Sequence, residues 1–272
     1  MLNIKTHIYI KNINIYIINI YIINIYIINI YKIEYLNIIS TSNNYKMLEV
    51  FHKDDSYIIG VDEVGRGPLF GRVYAAAVIL PHFGFKHELM KDSKKFTSSK
   101  KIKEVAEYIK TNCIAYSIMY QDEKSIDKRN ILNATHDAMH LAIKDIMNTV
   151  NTMNTMNNKY LIIVDGNNFK PLTYYDSDTE SMKEVDTICV VNGDNTYSAI
   201  AAASILAKVE RDNYIQELCL EYPKLNEYYG ISKNKGYGTK QHMEAIKQYG
   251  ITQWHRKTFG LCKTSELIDI IN

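Results

Sequence analysis

Cysteine is scarce in this chain of 272 residues, and its spacing argues against two kinds of structural support. The four cysteines, Cys113, Cys189, Cys219 and Cys262, are far apart and form no Cys-x-x-Cys pair. Such spacing indicates neither a zinc site nor a disulfide framework, so a reducing compartment is the simpler interpretation. The apolar fraction of 46% fits one globular domain with appendages.

The chain also lacks a strong net charge, since its formal value is +2. Residues 1–46 hold four lysines and one glutamate, so the rest of the chain is close to neutral. Nucleic-acid binding would therefore depend on local patches rather than on a field of the whole protein. The densest patch comprises Lys91, Lys94, Lys95, Lys100, Lys101 and Lys103. A solvated helix face is an equally good interpretation of these lysines.

Residues 1–46 form a low-complexity extension. The pentapeptide Asn-Ile-Tyr-Ile-Ile occurs at 14–18, 19–23 and 24–28, and a period of five matches neither a helix nor a strand. We therefore expect no packed module in this segment, and we place the folded domain at 47–272.

A targeting leader is the alternative interpretation of the extension, because it is apolar and nearly free of acids, although it contains no arginine. The expected location is cytoplasmic, or a mitochondrion or plastid if the segment is a leader. A membrane span is disfavoured because an asparagine recurs every five residues, and no stable membrane association is expected for the domain.

The remaining sequence alternates between strand and helix patterns. Strands rich in Ile, Val, Tyr and Ala are predicted at 57–63, 72–80, 113–119, 160–165 and 187–191. Helices are predicted at 98–110, 130–147, 197–220, 239–248 and 263–271. The first two strands should form an antiparallel hairpin, whereas the later strands follow helices and should be parallel. The predicted fold is α/β, a mixed sheet with helices on its faces. Two insertions, 148–158 and 175–186, are expected to be disordered.

One segment joins an apolar strand to two carboxylates and a glycine-rich turn. It runs Ile-Ile-Gly-Val-Asp62-Glu63-Val, followed by Gly65-Arg66-Gly67 and a proline. Neighbouring side chains of a strand point to opposite faces, so on a central strand one of these two acids must face the protein. The glycines permit a tight turn whose amides form a concavity suited to a phosphate. An ordinary surface turn is the alternative.

Two later strands also end in an aspartate. The sequence Leu-Ile-Ile-Val-Asp165-Gly ends one of them, and Asp194 follows the strand predicted at 187–191. Open α/β sheets place their sites at the carboxyl ends of strands, although each aspartate taken alone is also a good helix N-cap. Converging carboxylates repel each other unless a cation is present, and oxygen ligands favour Mg²⁺ or Mn²⁺ over zinc.

The predicted helix at 197–220 begins with small residues that permit a close approach to the sheet. Lys208 and Asp212 are four residues apart on one face of this helix, so they are expected to form an ion pair. Asp212 is also a candidate for a supporting acid behind the carboxylate cluster, with Lys208 as its partner.

Together these motifs resemble the type 2 ribonucleases H, the ribonuclease HII family of the bacterial kind. The matching segments are VDEVGRGPLFG (61–71), DSKKFT (92–97), NILNAT (130–135), IIVDGN (162–167), GD (193–194), AAASILAKVERD (201–212), NKGYGT (234–239) and HRKTF (255–259). The segments occur in the order found in the family.

The resemblance implies a ribonuclease H-like fold and metal-dependent hydrolysis of the RNA strand of RNA/DNA hybrids. It also implies incision at single ribonucleotides embedded in duplex DNA, by two divalent ions, Mn²⁺ or Mg²⁺, leaving 3′-hydroxyl and 5′-phosphate ends. Roles in ribonucleotide excision repair and DNA replication would follow. A monomer is expected, and no tail that resembles a sliding-clamp motif occurs near Asn272.

The family's functional residues map onto this sequence one by one. The four metal-binding acids correspond to Asp62, Glu63, Asp165 and Asp194. The ribose-reading turn corresponds to Gly65, Arg66 and Gly67, the junction-sensing tyrosine to Tyr237, and Lys94 and Lys95 are assigned to the substrate.

Three features depart from the family pattern. Asn192 stands before Gly193 where the family usually has lysine, so one phosphate contact is missing. Arg72 and Tyr74 replace a proline and a small residue after the glycine-rich turn. A few additional residues precede the segment that contains Tyr237.

Two other functions were weighed. The sequence from His136 to His140 resembles the His-Glu-x-x-His helix of zinc proteases, but its aspartate is one methylene short for the base and no third ligand is spaced nearby. A nucleic-acid-binding protein that lost catalysis is disfavoured because all four acids are present.

Overall fold

The computed structural model describes residues 48–51, 53, 56–153, 158–176 and 180–270. The low-complexity extension 1–46 lies outside these residues, so its role as an extension or a leader stays a prediction. The division of the chain at residue 47 stays a prediction as well.

A five-stranded mixed sheet forms the centre of the domain. The strands described are β1 (Ser56–Val64), β2 (Val73–Ile79), β3 (Ala115–Gln121), β4 (Lys159–Asp165), β5 (Thr173–Asp176), β6 (Ser181–Glu184) and β7 (Asp186–Val190). The main sheet has the order β3-β2-β1-β4-β7, and β5 and β6 form a separate two-stranded sheet. The prediction of a mixed α/β sheet is confirmed, with β1 as the central strand.

The pairing follows the predicted pattern except at β3. β1 and β2 form an antiparallel hairpin, while β4 pairs in parallel with β1 and β7 in parallel with β4. β3 follows a helix but pairs antiparallel with β2, so it runs in the direction of β1 without touching it. The prediction that β3 pairs in parallel with its neighbour was therefore wrong. The helical connection after β2 returns the chain to the sheet edge next to β2, so β3 pairs with β2 rather than with a strand of its own direction.

Helices cover both faces of the sheet. They are α1 (Ser99–Asn112), α2 (Glu123–Arg129), α3 (Ile131–Met153), α4 (Ser198–Glu221), α5 (Lys224–Tyr229), α6 (Ile231–Asn234) and α7 (Lys240–Tyr249). Short 3₁₀ turns span His87–Leu89, Ser93–Lys95, Gly193–Asn195 and Gly260–Thr264. One apolar core lies between α4, α1 and the sheet, and a second lies between α3 and the opposite face. Among the described residues, no helix is both long and apolar enough to span a membrane.

The small residues at the start of α4 permit the close approach that the sequence predicts. A Cβ atom placed on Gly60 of β1 would lie 2.3 Å from the backbone carbon of Ala199. The backbone of Gly60 therefore packs directly on Ala199 where α4 crosses the central strand, and a side chain at position 60 would force the two elements apart.

The helix predicted at 263–271 is wrong. The chain forms a 3₁₀ turn at Gly260–Thr264 and then an extended segment in which Leu267 makes a parallel bridge with Ile251. The amide of Ile251 donates to Glu266 and the amide of Ile268 donates to Ile251, both at 2.7 Å. These long-range hydrogen bonds satisfy backbone donors and acceptors of the segment without a helix. The spacing of its apolar residues does not reveal them.

The two insertions are more ordered than expected. Helix α3 continues to Met153, six residues into the segment 148–158, and residues 154–157 lie outside the described part. Strands β5 and β6 form an antiparallel hairpin across much of the segment 175–186. Disorder was therefore the wrong prediction for the described residues of both insertions.

Candidate active site

The adjacent acids Asp62 and Glu63 lie near the end of the central strand, on opposite faces. Asp62 is 5% exposed, and the hydroxyl of Ser204 on α4 hydrogen-bonds its carboxylate. Its Oδ1 atom also accepts from the amide of Glu63 at 2.7 Å. The side chain of Glu63 pairs with Arg66, whose Nη1 lies 3.3 Å from Oε1. Asp62 is thus the acid that the central strand directs into the protein.

Asp165 and Asp194 lie at the ends of the next two strands. β4 ends at Asp165, and Asp194 occupies the 3₁₀ turn after β7. Asp165 Oδ1 accepts from the amide of Gly193 at 2.7 Å, and Asp194 Oδ1 accepts from Asn195 Nδ2 at 3.0 Å. Both side chains therefore hydrogen-bond to the 3₁₀ turn Gly193–Asn195 rather than to the first turn of α4. The helix N-cap interpretation was wrong for both aspartates.

The charges of the four acids act on one another. Burial is the main cause that raises the pKa of Asp62 well above its ordinary value, and the charges of Glu63 and Asp165 raise it further. Burial also raises the pKa of Glu63, against the opposing effect of Arg66, and the pKa of Asp194. Asp165 contributes to the raised pKa of all three other acids, so it is their common neighbour.

This set of donors fits a divalent cation on its chemistry. Carboxylate oxygens are the ligands that Mg²⁺ and Mn²⁺ prefer, and a cation would favour the charged forms that burial and, to a smaller extent, the neighbouring carboxylates disfavour. As the side chains lie, no three His, Cys, Asp or Glu groups in the described part of the chain stand at ligating distance of a common ion. Glu63 is held by Arg66 and Asp165 by the Gly193 amide instead.

The lysine-rich segment before α1 lies beside Asp194. Asp92 caps the 3₁₀ turn Ser93–Lys95 by accepting from the amide of Lys94 at 2.9 Å. The charge of Lys94 lowers the pKa of Asp194, while Lys95 donates to the side chain of Asn195, the next residue. Both predicted substrate lysines are therefore at the rim of the carboxylate cluster.

The turn Gly65-Arg66-Gly67 is held from beneath by two buried arginines. Arg256 donates to the carbonyls of Gly65 at 2.6 Å, Arg66 at 2.9 Å, Pro68 at 2.8 Å and Gly71 at 2.8 Å. Burial, with a smaller effect from Arg211, lowers the pKa of Arg256 to about 9.

Arg211 of α4 is the second of these arginines, and it lies under Gly65. It donates to the carbonyls of Phe70 and Arg72, both at 3.3 Å, and to Lys235 at 2.9 Å. Gly65 has a φ of +94°, and a Cβ on it would lie 2.4 Å from Arg211 Nε. Glycine is required there for both reasons.

Tyr237 lies directly beside this turn. A Cβ placed on Gly67 would be 3.5 Å from Tyr237 Cε1, and the amide of Leu69 donates to the carbonyl of Gly236 at 2.9 Å. The tyrosine is 46% exposed, so one part of its ring contacts the turn while the rest faces solvent. The structure thus brings together two predicted substrate-binding features that are about 170 residues apart in sequence.

Lys208 and Asp212 lie elsewhere on α4. Their side chains form the expected ion pair, and the charge of Asp212 raises the pKa of Arg211 and Lys235 against the larger opposing effect of burial. Asp212 is eight residues beyond Ser204, or about 12 Å along the helix. The pair therefore lies towards the Tyr237 segment rather than behind the carboxylates.

The departures from the family pattern have defined positions. Asn192 adopts a left-handed conformation, with φ of 55°, which asparagine tolerates better than most residues. Arg72 lies between the rings of Tyr120 and Tyr214, 4.0 and 4.3 Å from their centroids, and Tyr74 is buried beside it.

The histidines of the protease-like motif hold a loop. His136 Nε2 contacts the carbonyl of Asn168 at 3.2 Å and His140 Nε2 contacts that of Lys170 at 2.7 Å. Both rings pack edge-on against Phe169. A carbonyl only accepts, so each Nε2 carries a proton and its lone pair is not available to a metal there. The protease interpretation is rejected.

Sequence reasoning assigned no role to Ser204, Arg211 or Arg256. All three are in segments that carry the family resemblance, but their contacts join segments distant in sequence. A buried arginine gives no local pattern, since Arg211 follows Glu210 and Arg256 precedes Lys257, as surface arginines commonly do.

Comparisons with known proteins agree with this geometry. The family model described as Ribonuclease HII matches residues 59–262. A ribonuclease HII of Phocaeicola vulgatus is 40% identical over 224 residues, covering 82% of this chain and 99% of that protein. One from Parabacteroides distasonis is 44% identical over 202 residues, covering 74% and 89%.

Two solved structures share the fold. A ribonuclease H2 from Pyrococcus horikoshii OT3 superposes with a TM-score of 0.57 at 22% identity, covering 76% of this chain and 95% of that one. A ribonuclease HII from Archaeoglobus fulgidus, solved in complex with PCNA, gives 0.54 at 22% identity, covering 75% and 95%. The family model and the two curated relatives confirm the resemblance found in the sequence: this chain belongs to the ribonuclease HII family of metal-dependent endoribonucleases that act on RNA/DNA hybrids.

Proposed function

We propose that this chain hydrolyses the RNA strand of RNA/DNA hybrids and also incises duplex DNA at single embedded ribonucleotides. The observation that carries the proposal is the position of the Tyr237 ring, whose Cε1 lies 3.5 Å from the point that a Cβ on Gly67 would occupy, in the turn that begins two residues after Glu63. An aromatic ring and a side-chain-free backbone thereby border one space beside the carboxylates.

Asp62, Glu63, Asp165 and Asp194 would hold two divalent ions, Mg²⁺ or Mn²⁺, and the bound ions would supply activation of water and stabilisation of the leaving oxygen. Asp165 would be one of the acids that hold the ions, and its charge acts on Asp62, Glu63 and Asp194. The protein contributes charge and position rather than a nucleophile. Cleavage would leave a 3′-hydroxyl and a 5′-phosphate on the ribonucleotide side.

The turn at Gly67 is proposed to read the 2′-hydroxyl that distinguishes RNA from DNA. The residue has no Cβ, so a sugar can approach its backbone closely. Arg256 supports this proposal because it binds two carbonyls of the turn, those of Gly65 and Arg66, and two carbonyls just after it, those of Pro68 and Gly71. The turn therefore presents a preset backbone to the sugar rather than folding around it.

Tyr237 is proposed to pack on the deoxyribose that follows the ribonucleotide. Its ring is half-exposed next to Gly67, so it offers a flat apolar surface beside the proposed 2′-hydroxyl site. Lys94 and Lys95 are proposed to contact backbone phosphates near Asp194, since both lie at the rim of the cluster. Asn192 supplies no cation, so this side of the substrate would rely on those two lysines.

The remaining assignments are proposals of the same kind. The catalytic domain is placed at 47–272 and acts as a monomer without stable membrane association. Its location is cytoplasmic, or organellar if residues 1–46 are a targeting leader. A role in ribonucleotide excision repair follows if the incision activity is present.

Cleavage mapping tests the proposal. Duplex DNA with one embedded ribonucleotide and a matched RNA/DNA hybrid are incubated with enzyme and Mg²⁺ or Mn²⁺, and the ends are identified. We expect a single cut at the ribonucleotide in the first substrate. Tyr237→Ala should slow that cut far more than hybrid cleavage, whereas Tyr237→Phe should stay close to the parent. Equal rates for Tyr237→Ala and the parent on both substrates would leave Tyr237 a packing residue.

A further inference from the structure

Behind Tyr237 two buried histidines face each other. His242 of α7 and His255 are each at most 1% exposed, and their Nε2 atoms are 3.0 Å apart. His242 Nδ1 lies 3.0 Å from the carbonyl of Tyr237, and His255 Nδ1 lies 2.9 Å from the amide of Thr252. A chain of hydrogen bonds therefore runs from Thr252 to the backbone of Tyr237.

The two ends of this chain fix the proton on each ring. The carbonyl of Tyr237 only accepts, so His242 Nδ1 carries a proton, and in a neutral ring its Nε2 then accepts. The amide of Thr252 only donates, so His255 Nδ1 accepts and its Nε2 carries the proton. The two assignments agree, because His255 Nε2–H then donates to His242 Nε2.

Both rings are therefore neutral, and the hydroxyl of Thr252, which also lies 2.9 Å from His255 Nδ1, can donate to that ring as the amide does. A proton on His242 Nε2 would oppose the proton of His255, and one on His255 Nδ1 would oppose the amide of Thr252. Burial lowers the pKa of both histidines, that of His255 to about 3 with a contribution from His242. The arrangement is thus kept throughout the neutral pH range.

His255 is covalently joined to Arg256, which binds the other side of the proposed sugar site. Arg256 holds the carbonyls of the Gly65–Gly67 turn, and its own amide donates to Leu69 at 2.8 Å. Phe70, between Leu69 and Gly71, packs edge-on against the His255 ring at 5.0 Å. One dipeptide thus bonds to the ribose-reading turn directly and to Tyr237 through His242.

We infer that His242 and His255 are positioning residues that hold Tyr237 at a fixed distance from the Gly65–Gly67 turn, and so set the preference for embedded ribonucleotides. This inference rests on the proposed function of Tyr237. The pair touches no substrate. The two histidines keep the backbone of Tyr237 at a fixed position relative to the Gly65–Gly67 turn, which Arg256 supports.

A double-mutant cycle tests the inference in the full chain. The measured quantity is the ratio of kcat/KM for the embedded-ribonucleotide duplex to that for the hybrid. His242→Phe keeps an aromatic ring but loses both hydrogen bonds, and we expect the ratio to fall at least fivefold. His242→Asn keeps a donor near the Tyr237 carbonyl and should recover most of the ratio. In a Tyr237→Ala background, His242→Phe should change the ratio less than twofold.

Tyr229→Phe is the matched control. Tyr229 is fully buried, packs 6.0 and 5.1 Å from the rings of His242 and His255, and donates to Gly250 rather than to the Tyr237 segment. Loss of the Tyr229 hydroxyl should lower the melting temperature, while the ratio of the two kcat/KM values stays within twofold of that of the parent. An unchanged ratio in folded His242→Phe, or an equal fall in Tyr229→Phe, would overturn the inference. An unchanged ratio in Tyr237→Ala would instead overturn the proposed function.

A measurement on the parent protein covers the case in which His242→Phe does not fold. Long-range ¹H–¹⁵N NMR of ¹⁵N-histidine-labelled protein at pH 7 should show His242 protonated at Nδ1 and His255 protonated at Nε2, identified by their loss in His242→Asn and His255→Gln. A charged ring at either position, or the same tautomer in both, would contradict the hydrogen-bond chain.

Discussion

The carboxylate of Asp165 accepts a 2.7 Å hydrogen bond from the backbone amide of Gly193, so the last residue of β4 fixes the turn that carries Asp194. A Cβ on Gly193 would lie 2.6 Å from Ile200 Cδ1, which packs the same turn against α4. Two of the acids are thus placed by one bond and one contact, and the site depends on backbone position as much as on side chains.

Removal of a single carboxylate should abolish cleavage without unfolding the protein. Asp62→Asn and Asp165→Asn each preserve shape and an accepting oxygen but remove a charge of the proposed metal site. We expect at least a thousandfold loss of kcat/KM on a hybrid, with an unchanged circular dichroism spectrum. Glu107→Gln removes an exposed carboxylate of α1 and should cleave like the parent. Near-normal turnover of Asp194→Asn at low metal concentration would refute the four-acid site.

The same acids should make the metal-free protein less stable as pH rises. A carboxylate whose pKa is raised by folding binds its proton more tightly in the folded state, so stability falls as pH rises from the ordinary pKa of 3.8 through the raised value. The melting temperature of the parent should therefore fall across this range with chelator present. Asp62→Asn should reduce the fall and melt a few °C higher, at about 2–4 °C for each kcal/mol. A steeper fall in the variant would contradict the sign.

Two glycines of one turn should respond differently to alanine. Gly65→Ala combines a φ of +94° with a 2.4 Å clash on Arg211, so we expect it to lower the melting temperature and the activity together. Gly67→Ala meets only an ordinary 3.5 Å contact with Tyr237. It should keep the parent melting temperature and lose activity on both substrates, since the methyl group crowds the sugar. Full activity of Gly67→Ala would show that the sugar does not approach this backbone.

Arg256→Met should destabilise the domain strongly. It leaves the four carbonyls bound by the guanidinium without their buried donor, and each such group costs about 1–3 kcal/mol. We expect a fall in melting temperature on the order of 10 °C. Arg129→Met, which breaks a half-exposed ion pair with Asp137, should change it by no more than a few °C. Comparable melting temperatures for the two variants would contradict the proposed support of the turn.

The boundary of the catalytic domain can be tested by truncation. A protein that begins at Met47 keeps Glu49, whose amide donates to Thr196 at 2.7 Å and whose carbonyl accepts from Ser198 at 3.0 Å. It should melt and cleave like the full chain. A protein that begins at Ser56 loses these bonds beside the Asp194 turn, and both its melting temperature and its activity should fall. Loss of folding in the protein that begins at Met47 would show that residues 1–46 are structural.

Local patterns predicted the elements that local forces decide. The five main strands and the acids at their ends follow from apolar runs and turn residues, and these were placed within about two residues. The helix predicted at 263–271 was wrong because the backbone of this segment pairs with Ile251. The parallel pairing predicted for β3 was wrong because the pairing partners of a strand depend on the whole sheet. The roles of Arg256 and of the histidine pair depend on contacts between separate segments, which no window of sequence contains.

The central strand also sets the order in which the protein can be completed during synthesis. The hairpin of β1 and β2 and the neighbouring β3 are available once residue 121 has emerged, but the face of Ala76 and Val78 is covered by α4, which begins at Ser198. Until then the nascent chain carries a wide apolar surface without its partner, and Asp62 has neither Asp165 nor Ser204 beside it. Pairings over such separations are slow to form, so ribosome stalling before α4 would leave an aggregation-prone half-sheet.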